Sequence, residues 1–196
     1  MTTPRPYHHG DLRTALLRQA ERMLAADGVD GLSLRELARE VGVSHGAPRR
    51  HFPDKRALLD ALAEEGYERL GRRLDAALGG EGEFTERLVT FAQVYVAFAV
   101  EHGALLGLMH TSKDGTGGAR LRQANDRAFA APVRLLADAR ARGDIDADTT
   151  GRVDMTVLAV LQGLAVLAAT GMNSGRPLDT LVSETVETLV AGLRPR

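Results

Sequence analysis

The chain has 196 residues at 44% hydrophobic content, enough to bury a sizeable core in one ordinary domain or two small ones. It has no cysteine, which excludes disulfides, thiolate zinc sites and cysteine nucleophiles and gives no reason to expect an oxidising compartment. The net charge of −1 is unevenly spread: residues 1–56 carry ten Arg or Lys against seven Asp or Glu, with four of the six histidines, and the remainder is acidic. A modestly basic head on an acidic body fits contact with nucleic acid through one end only.

The N-terminal stretch MTTPRPYHHGDLR lacks the uninterrupted apolar run of a secretory signal, so a cytoplasmic location is expected. Apolar residues then recur at helical spacing in nearly every segment, and alternation at period two is almost absent, which predicts an all-α fold. After an arm over residues 1–9, a first helix is predicted from Gly10 to Ala26, with Leu12, Leu16, Ala20, Met23 and Leu24 on one stripe and Asp27-Gly28 as its stop. Ser33-Leu34-Arg35-Glu36 reads as a capping box opening a second helix, whose apolar side is Leu34, Leu37, Ala38 and Val41. Gly42 permits a tight turn, and Ser44 caps a third helix beginning at His45. Helix, glycine turn, helix is the pattern of a DNA reader, assigned to residues 10–55.

Residues 56–196 read as a helical bundle. Phe52-Pro53-Asp54 breaks the chain and caps a long helix with Leu59, Leu62, Gly66, Leu70, Leu74 and Ala77 in its stripe, ending at Gly79-Gly80. Phe84, Leu88, Phe91, Tyr95 and Phe98 then fall at i, i+4, i+7, i+11 and i+14, with further apolar residues between, which predicts a helix buried on most sides. A short helix over Ala104–Met109 leads to a DGTGG loop at 114–118, which lacks the Lys-Ser/Thr of a phosphate-cradling loop. A helix across Leu121–Arg142 is expected to kink at Pro132, and two more, near Val153–Thr170 and Leu178–Leu193, complete the chain.

The chemistry of the head lies in residues 44–51. A helix-turn-helix lays the start of its second helix in the major groove, where an arginine pairs bidentately with guanine or clamps a phosphate. Ser44 and His45 stand at that start, Arg49, Arg50 and His51 bring donors, and Gly46 and Ala47 leave room for the duplex. The segment LSLRELAREVGVSHGAPRRHFPDKRALLDALAEEGYERL (Leu32–Leu70) resembles the DNA-binding region of the tetracycline-repressor (TetR) family, with its Val-Ser-x-Gly turn and His-Phe-x-x-Lys-x-x-Leu-Leu continuation. The resemblance implies DNA contacts by Ser33, Ser44, His45, Arg50, His51 and Lys55, with Lys55 near a phosphate and Phe52 in the core. Arg49 stands where the family pattern has an aromatic residue, so it joins the interface as a contact to a base or to a phosphate. YHHGDLRTALLRQAERML (Tyr7–Leu24) and AVLQGLAVLAATG (Ala159–Gly171) further resemble a subgroup whose C-terminal domain carries a tryptophan and a His-Gly pair; here the tryptophan is missing and Gln162 precedes Gly163.

For the body, the resemblance implies a pocket for a small molecule. Tyr67, Phe91, Tyr95, Phe98, Met109 and Phe129 offer aromatic and pliable walls, and His102, His110, Asn125 and Gln162 are candidate polar anchors. A symmetric dimer is expected through the last two helices, from the stripes Val157, Leu161, Leu164, Ala168 and Leu181, Val182, Val186, Leu189, Leu193. Residues 155–175 carry no charge and approach the length of a bilayer span, but Gln162, Asn173, Ser174 and several Gly and Thr interrupt them, which suits a buried helix better than a membrane. No catalytic motif, metal-ligand pair or cofactor fingerprint is found; His102 and His110 lie eight residues apart. The expected protein is a homodimeric regulator, not an enzyme. It binds operator DNA and works as a repressor released by an apolar or amphipathic effector; the alternative is a helical small-molecule-binding protein without operator function.

Overall fold

The computed structural model describes residues 9–112, 118–147, 150–173 and 175–194, with side chains from residue 12. All regular elements among the described residues are helical: α1 (His9–Gly31), α2 (Leu34–Val41), a 3-10 helix (Pro48–Arg50), α3 (Lys55–Leu78), α4 (Phe84–Glu101), α5 (Gly103–Ser112), α6 (Gly118–Ala128), α7 (Ala130–Arg142), α8 (Arg152–Ala169) and α9 (Leu178–Leu193). They divide into two compact units, residues 1–66 with 104–122 and residues 67–103 with 123–196. The division runs through α3 and α6. The arm over residues 1–8 and the loop at 114–117 lie outside the described residues.

In the first unit α1 packs against α2, burying Leu16, Ala20 and Leu24 on one helix and Leu37 and Ala38 on the other. The expected stop at Asp27-Gly28 is a kink: Gly28 adopts φ 69 and ψ −172, a conformation costly for any residue with a Cβ, and a last turn follows to Gly31. At the start of α2, Ser33 Oγ accepts the Glu36 N–H at 3.1 Å, which is half of the predicted capping box. The other half is absent because the Glu36 carboxylate turns forward to Arg39, at 2.6 Å. Gly42 ends the helix at φ 75, in the left-handed region.

The third helix departs from expectation. Residues 45–47 form a turn and only Pro48–Arg50 are helical, as a 3-10 helix. Proline has no N–H to donate to Ser44, so the α pattern cannot start there. The chain closes instead by i to i−3 bonds, Ala47 N–H to Ser44 O at 2.9 Å, Arg50 N–H to Ala47 O at 3.2 Å and His51 N–H to Pro48 O at 3.0 Å. Asp54 then caps α3, its Oδ1 accepting the Ala57 N–H at 2.8 Å.

The second unit is built on α4. Phe84, Leu88, Phe91, Ala92, Tyr95, Val96, Phe98 and Ala99 are all buried, and α7, α8 and α9 pack around it. Each fully buried large apolar side chain contributes about 1.5–3 kcal/mol, so this helix is the chief source of cohesion in the unit. The predicted kink at Pro132 appears as a complete break at Phe129, between α6 and α7. A proline ring collides with the carbonyl four residues earlier, here that of Ala128, so the break falls ahead of the proline and Pro132 sits in the first turn of α7.

Helix α8 is long and apolar enough to cross a membrane by length and composition, yet it packs on α4 and α9. The stripes expected to form the dimer contact are largely spent within the unit: Val157, Leu161, Leu164, Val182 and Val186 are no more than 3% exposed. The apolar residues left outward on α8 are Met155, Leu158 and Val166, at 62%, 41% and 57% exposure.

Two glycines of α3 differ in what a side chain would meet. A Cβ at Gly71 would lie 2.9 Å from the Ala128 backbone Cα, whereas one at Gly66 would meet the flexible Met109 thioether, with Sδ at 2.7 Å. Substituting Gly71→Ala is expected to destabilise the protein by about 1–3 kcal/mol despite the gain in helix propensity. The change Gly66→Ala should stay within about 1 kcal/mol of the parent, because the methionine rotates away. Urea unfolding of the two variants measures the difference.

Candidate nucleic-acid interface and effector core

The head presents its polar groups along α2 and the turn after Gly42. Ser33 and His45 line one open groove of about 540 Å³ together with Arg35, Glu36 and Arg39. Ser44, His45, Arg49 and Arg50 are exposed, and Pro48 between them is buried, so the short 3-10 helix is pinned by its proline while its arginines point to solvent. Neither the Arg49 nor the Arg50 guanidinium is engaged in a hydrogen bond or ion pair with the described residues. Two guanidiniums held side by side on a pinned backbone with their donors unspent suit phosphate oxygens or guanine edges.

Not every predicted residue joins that groove. His51 turns to a second cleft of about 320 Å³, lined by Arg13, Ala57, Asp60, Ala61, Glu64, Arg120 and Leu121. Arg120 closes this cleft with a bidentate contact to Glu64, 2.8 Å from Nε and 2.5 Å from Nη2. Phe52 is buried at 2% exposure, beneath the Arg13 guanidinium at 5.5 Å from the ring centroid, which agrees with its expected place in the core. Lys55 Nζ donates to the Asp30 carbonyl at 3.3 Å, tying the start of α3 to the turn after the Gly28 kink while its side chain stays part-exposed.

Arg35 is the residue that reading the sequence missed. It is exposed on the groove and engages no described residue, whereas Arg39, one turn on, is held by Glu36 and Glu40. The i, i+4 spacing of Arg35 and Arg39 on the solvent face of α2 was the available signal. Their pairing states differ only because of the two glutamates beside Arg39.

Within the second unit the aromatic candidates form two clusters. The Tyr95 ring packs near Phe91 and Phe129, with a centroid distance of 6.3 Å to each. Tyr67 is fully buried and adds to the upward pKa shift of Tyr95. Phe98 belongs to the other cluster, under the guanidiniums of Arg69 and Arg73 at 5.8 and 5.5 Å and beside the His102 ring at 4.9 Å. Glu101 Oε2 accepts from Arg73 at 2.8 Å and stands 3.5 Å from His102 Nε2, and the bonded Arg73 guanidinium holds its carboxyl below the usual range.

The remaining anchors are scattered. Asn125 is half-buried and donates to Asp126 Oδ1 at 3.2 Å, and Gln162 lines an outward groove on α8 with Met155, Leu158 and Ala159. Met109 and His110 belong to the first unit, where Met109 is fully buried. No group of three or more His, Asp or Glu with metal-binding spacing occurs among the described residues.

Comparison with known proteins places this geometry. Residues 16–62 match the family described as "Bacterial regulatory proteins, tetR family", and residues 88–193 match "Tetracyclin repressor-like, C-terminal domain". Neither match distinguishes the narrower tryptophan and His-Gly subgroup. A solved structure of a protein with unknown function from a Rhodococcus species is 44% identical, with a TM-score of 0.87, covering 98% of this chain and 100% of that one. The nucleoid occlusion factor SlmA of Vibrio vulnificus is 34% identical over 98 residues, 50% of each chain. The class C tetracycline repressor of Escherichia coli is 50% identical over 52 residues, 26% of this chain and 24% of the repressor. The chain spans half or less of the length of these curated relatives. With a helix-turn-helix matched at one end and a helical C-terminal domain matched over more than half of its length, the chain belongs to the TetR family of bacterial regulatory proteins.

Proposed function

We propose that the protein is a cytoplasmic, homodimeric, non-catalytic repressor that holds a near-palindromic operator and releases it when a small apolar or amphipathic effector binds the second unit. The observation that carries the DNA part is that the guanidiniums of Arg35, Arg49 and Arg50 are exposed and unspent in the same unit as exposed Ser33, Ser44 and His45, with Arg35, Ser33 and His45 lining one groove. Arg49 and Arg50 reach the groove floor or its phosphate rim, Ser44 and His45 serve base edges at the close approach that Gly46 permits, and Lys55 steadies a phosphate. His51, turned toward the second cleft, contributes from the edge of the interface.

The dimer reading is supported by the outward face of α8. Met155, Leu158 and Val166 line it, and a groove of about 910 Å³ runs along Arg152, Met155, Thr156, Leu158, Ala159, Val160 and Gln162. Apolar surface of this kind on a helix already packed behind is favourably covered by a second copy of the same helix about a two-fold axis. The effector reading is supported by the second unit's interior, where aromatic rings gather and no charged side chain is buried among the described residues. A ligand changes operator affinity only to the extent that it binds the two dimer geometries unequally.

Gel-shift titration tests the DNA reading. Arg50→Ala and Lys55→Ala should weaken operator binding and lower the log–log salt slope by about 1 each. Arg35→Ala should weaken it likewise. For Arg49→Ala, an equal loss on operator and random DNA marks a phosphate contact and a loss confined to operator marks a base contact; no loss on either removes Arg49 from the interface.

Light scattering at micromolar concentration tests the assembly. The parent should be a dimer, and the double change Leu158→Glu with Val166→Glu should give a folded monomer. A monomeric parent would refute the assembly. A thermal-shift screen followed by operator release with each hit tests the effector: ligands that stabilise the protein without moving operator affinity would defeat the allosteric claim.

A further inference from the structure

Among the described residues, the hydroxyl of Tyr95 on α4 is a neutral polar group that the fold buries without a hydrogen-bond partner. The side chain is fully buried, and its Oη has no hydrogen-bond partner among the described residues. A phenylalanine would fill the same space without the desolvation penalty that an unpaired hydroxyl carries. Burial, and secondarily Tyr67, push its pKa up to about 12, so the group is a neutral donor at any ordinary pH.

Its surroundings define what such a donor can meet. Phe91 stands edge-on to the Tyr95 ring at 6.3 Å and 63°, and Phe129 is tilted at 6.3 Å and 53°, so the side chain that carries the hydroxyl is set in an aromatic cluster. Phe129 is partly exposed and sits at the break between α6 and α7, with φ −98 and ψ 10. Its ring is therefore the partly exposed member of the Tyr95 cluster. No charged side chain is buried among the described residues, and the guanidiniums of Arg69 and Arg73 stand over Phe98. A charged ligand beside Tyr95 would lose its hydration with no counter-ion to replace it.

We propose that the Tyr95 hydroxyl is the polar anchor of a small-molecule site walled by Phe91 and Phe129, and that its ligand is a neutral aromatic compound presenting one hydrogen-bond acceptor, such as a ketone, ester or amide carbonyl. This rests on the effector reading for its regulatory meaning and assigns that reading a donor and a ligand class. The carbonyl accepts from Tyr95 Oη while the ring system packs against the aromatic cluster.

Three probes sharing one skeleton test it on the full-length protein: 2-acetylnaphthalene, 2-ethylnaphthalene and 2-naphthoate, measured by calorimetry against the parent and Tyr95→Phe. The parent should bind the ketone roughly five- to tenfold more tightly than the hydrocarbon, the worth of one hydrogen bond, and should not bind the carboxylate. The variant should be at least as thermostable as the parent and should bind ketone and hydrocarbon equally. Discrimination that persists in Tyr95→Phe, a variant less stable than the parent, preferential binding of the carboxylate, or a parent that does not favour the ketone would each overturn the proposal. A separate operator-release measurement distinguishes the two readings: Tyr95-dependent binding of the ketone without operator release sustains this site and defeats the effector reading alone.

Discussion

Helix α4 carries apolar side chains around too much of its circumference for one neighbour to cover. Burying Phe84, Leu88, Phe91 and Tyr95 together with Ala92, Val96 and Ala99 requires cover from several directions, and α7, α8 and α9 supply it. The remaining architecture of the second unit follows from that demand. Gln93 Nε2 approaches Ser183 Oγ at 3.4 Å across the α4–α9 contact, and Arg140 pairs with Asp154 at 2.6 Å between α7 and α8, so polar contacts pin helices that hydrophobic burial has already gathered. Such exposed or half-exposed pairs add little free energy beside the burial, and their effect is on register.

The same demand explains why one helix faces two ways. Helix α8 spends Val153, Val157, Leu161 and Leu164 on α4 and α9, leaving Met155, Leu158 and Val166 outward. A helix this apolar has more hydrophobic surface than one chain can bury. That surplus and the unpaired Tyr95 hydroxyl are, among the described residues, points where the second unit is incomplete alone. A second copy and a small ligand are the completions that its chemistry favours.

In the first unit the governing constraint is proline chemistry. Pro48 removes the donor that an α-helix from Ser44 needs, so the reading element shortens to a 3-10 helix with its buried proline as a pin and its two arginines outward. In the proposed DNA reading, guanidiniums on α2 and on this short element carry the affinity, which places more weight on charge and less on a long helix seated in the groove.

Most of the helices were legible in the sequence because their determinants are local: the serine at 33, the glycines at 28 and 42, the aspartate at 54 and the apolar periodicity of α4 each act within a few residues. The resemblance over Leu32–Leu70 supplied candidate reading residues for the same reason, since the motif is short and continuous. What the sequence left undecided is which apolar stripe meets which neighbour. Val157, Leu161 and Leu164 have the periodicity of an interface and of a core alike, and only packing against α4 made them core. Arg35 and Arg39 share one helical face, yet the glutamates that hold Arg39 leave Arg35 open. The separation of Phe98 from Tyr95 and the solitude of the Tyr95 hydroxyl likewise depend on rings and guanidiniums brought in from other helices. Periodicity fixes the direction of a side chain about its own helix axis, but burial and pairing belong to the partner across the interface, and only the tertiary structure supplies that partner.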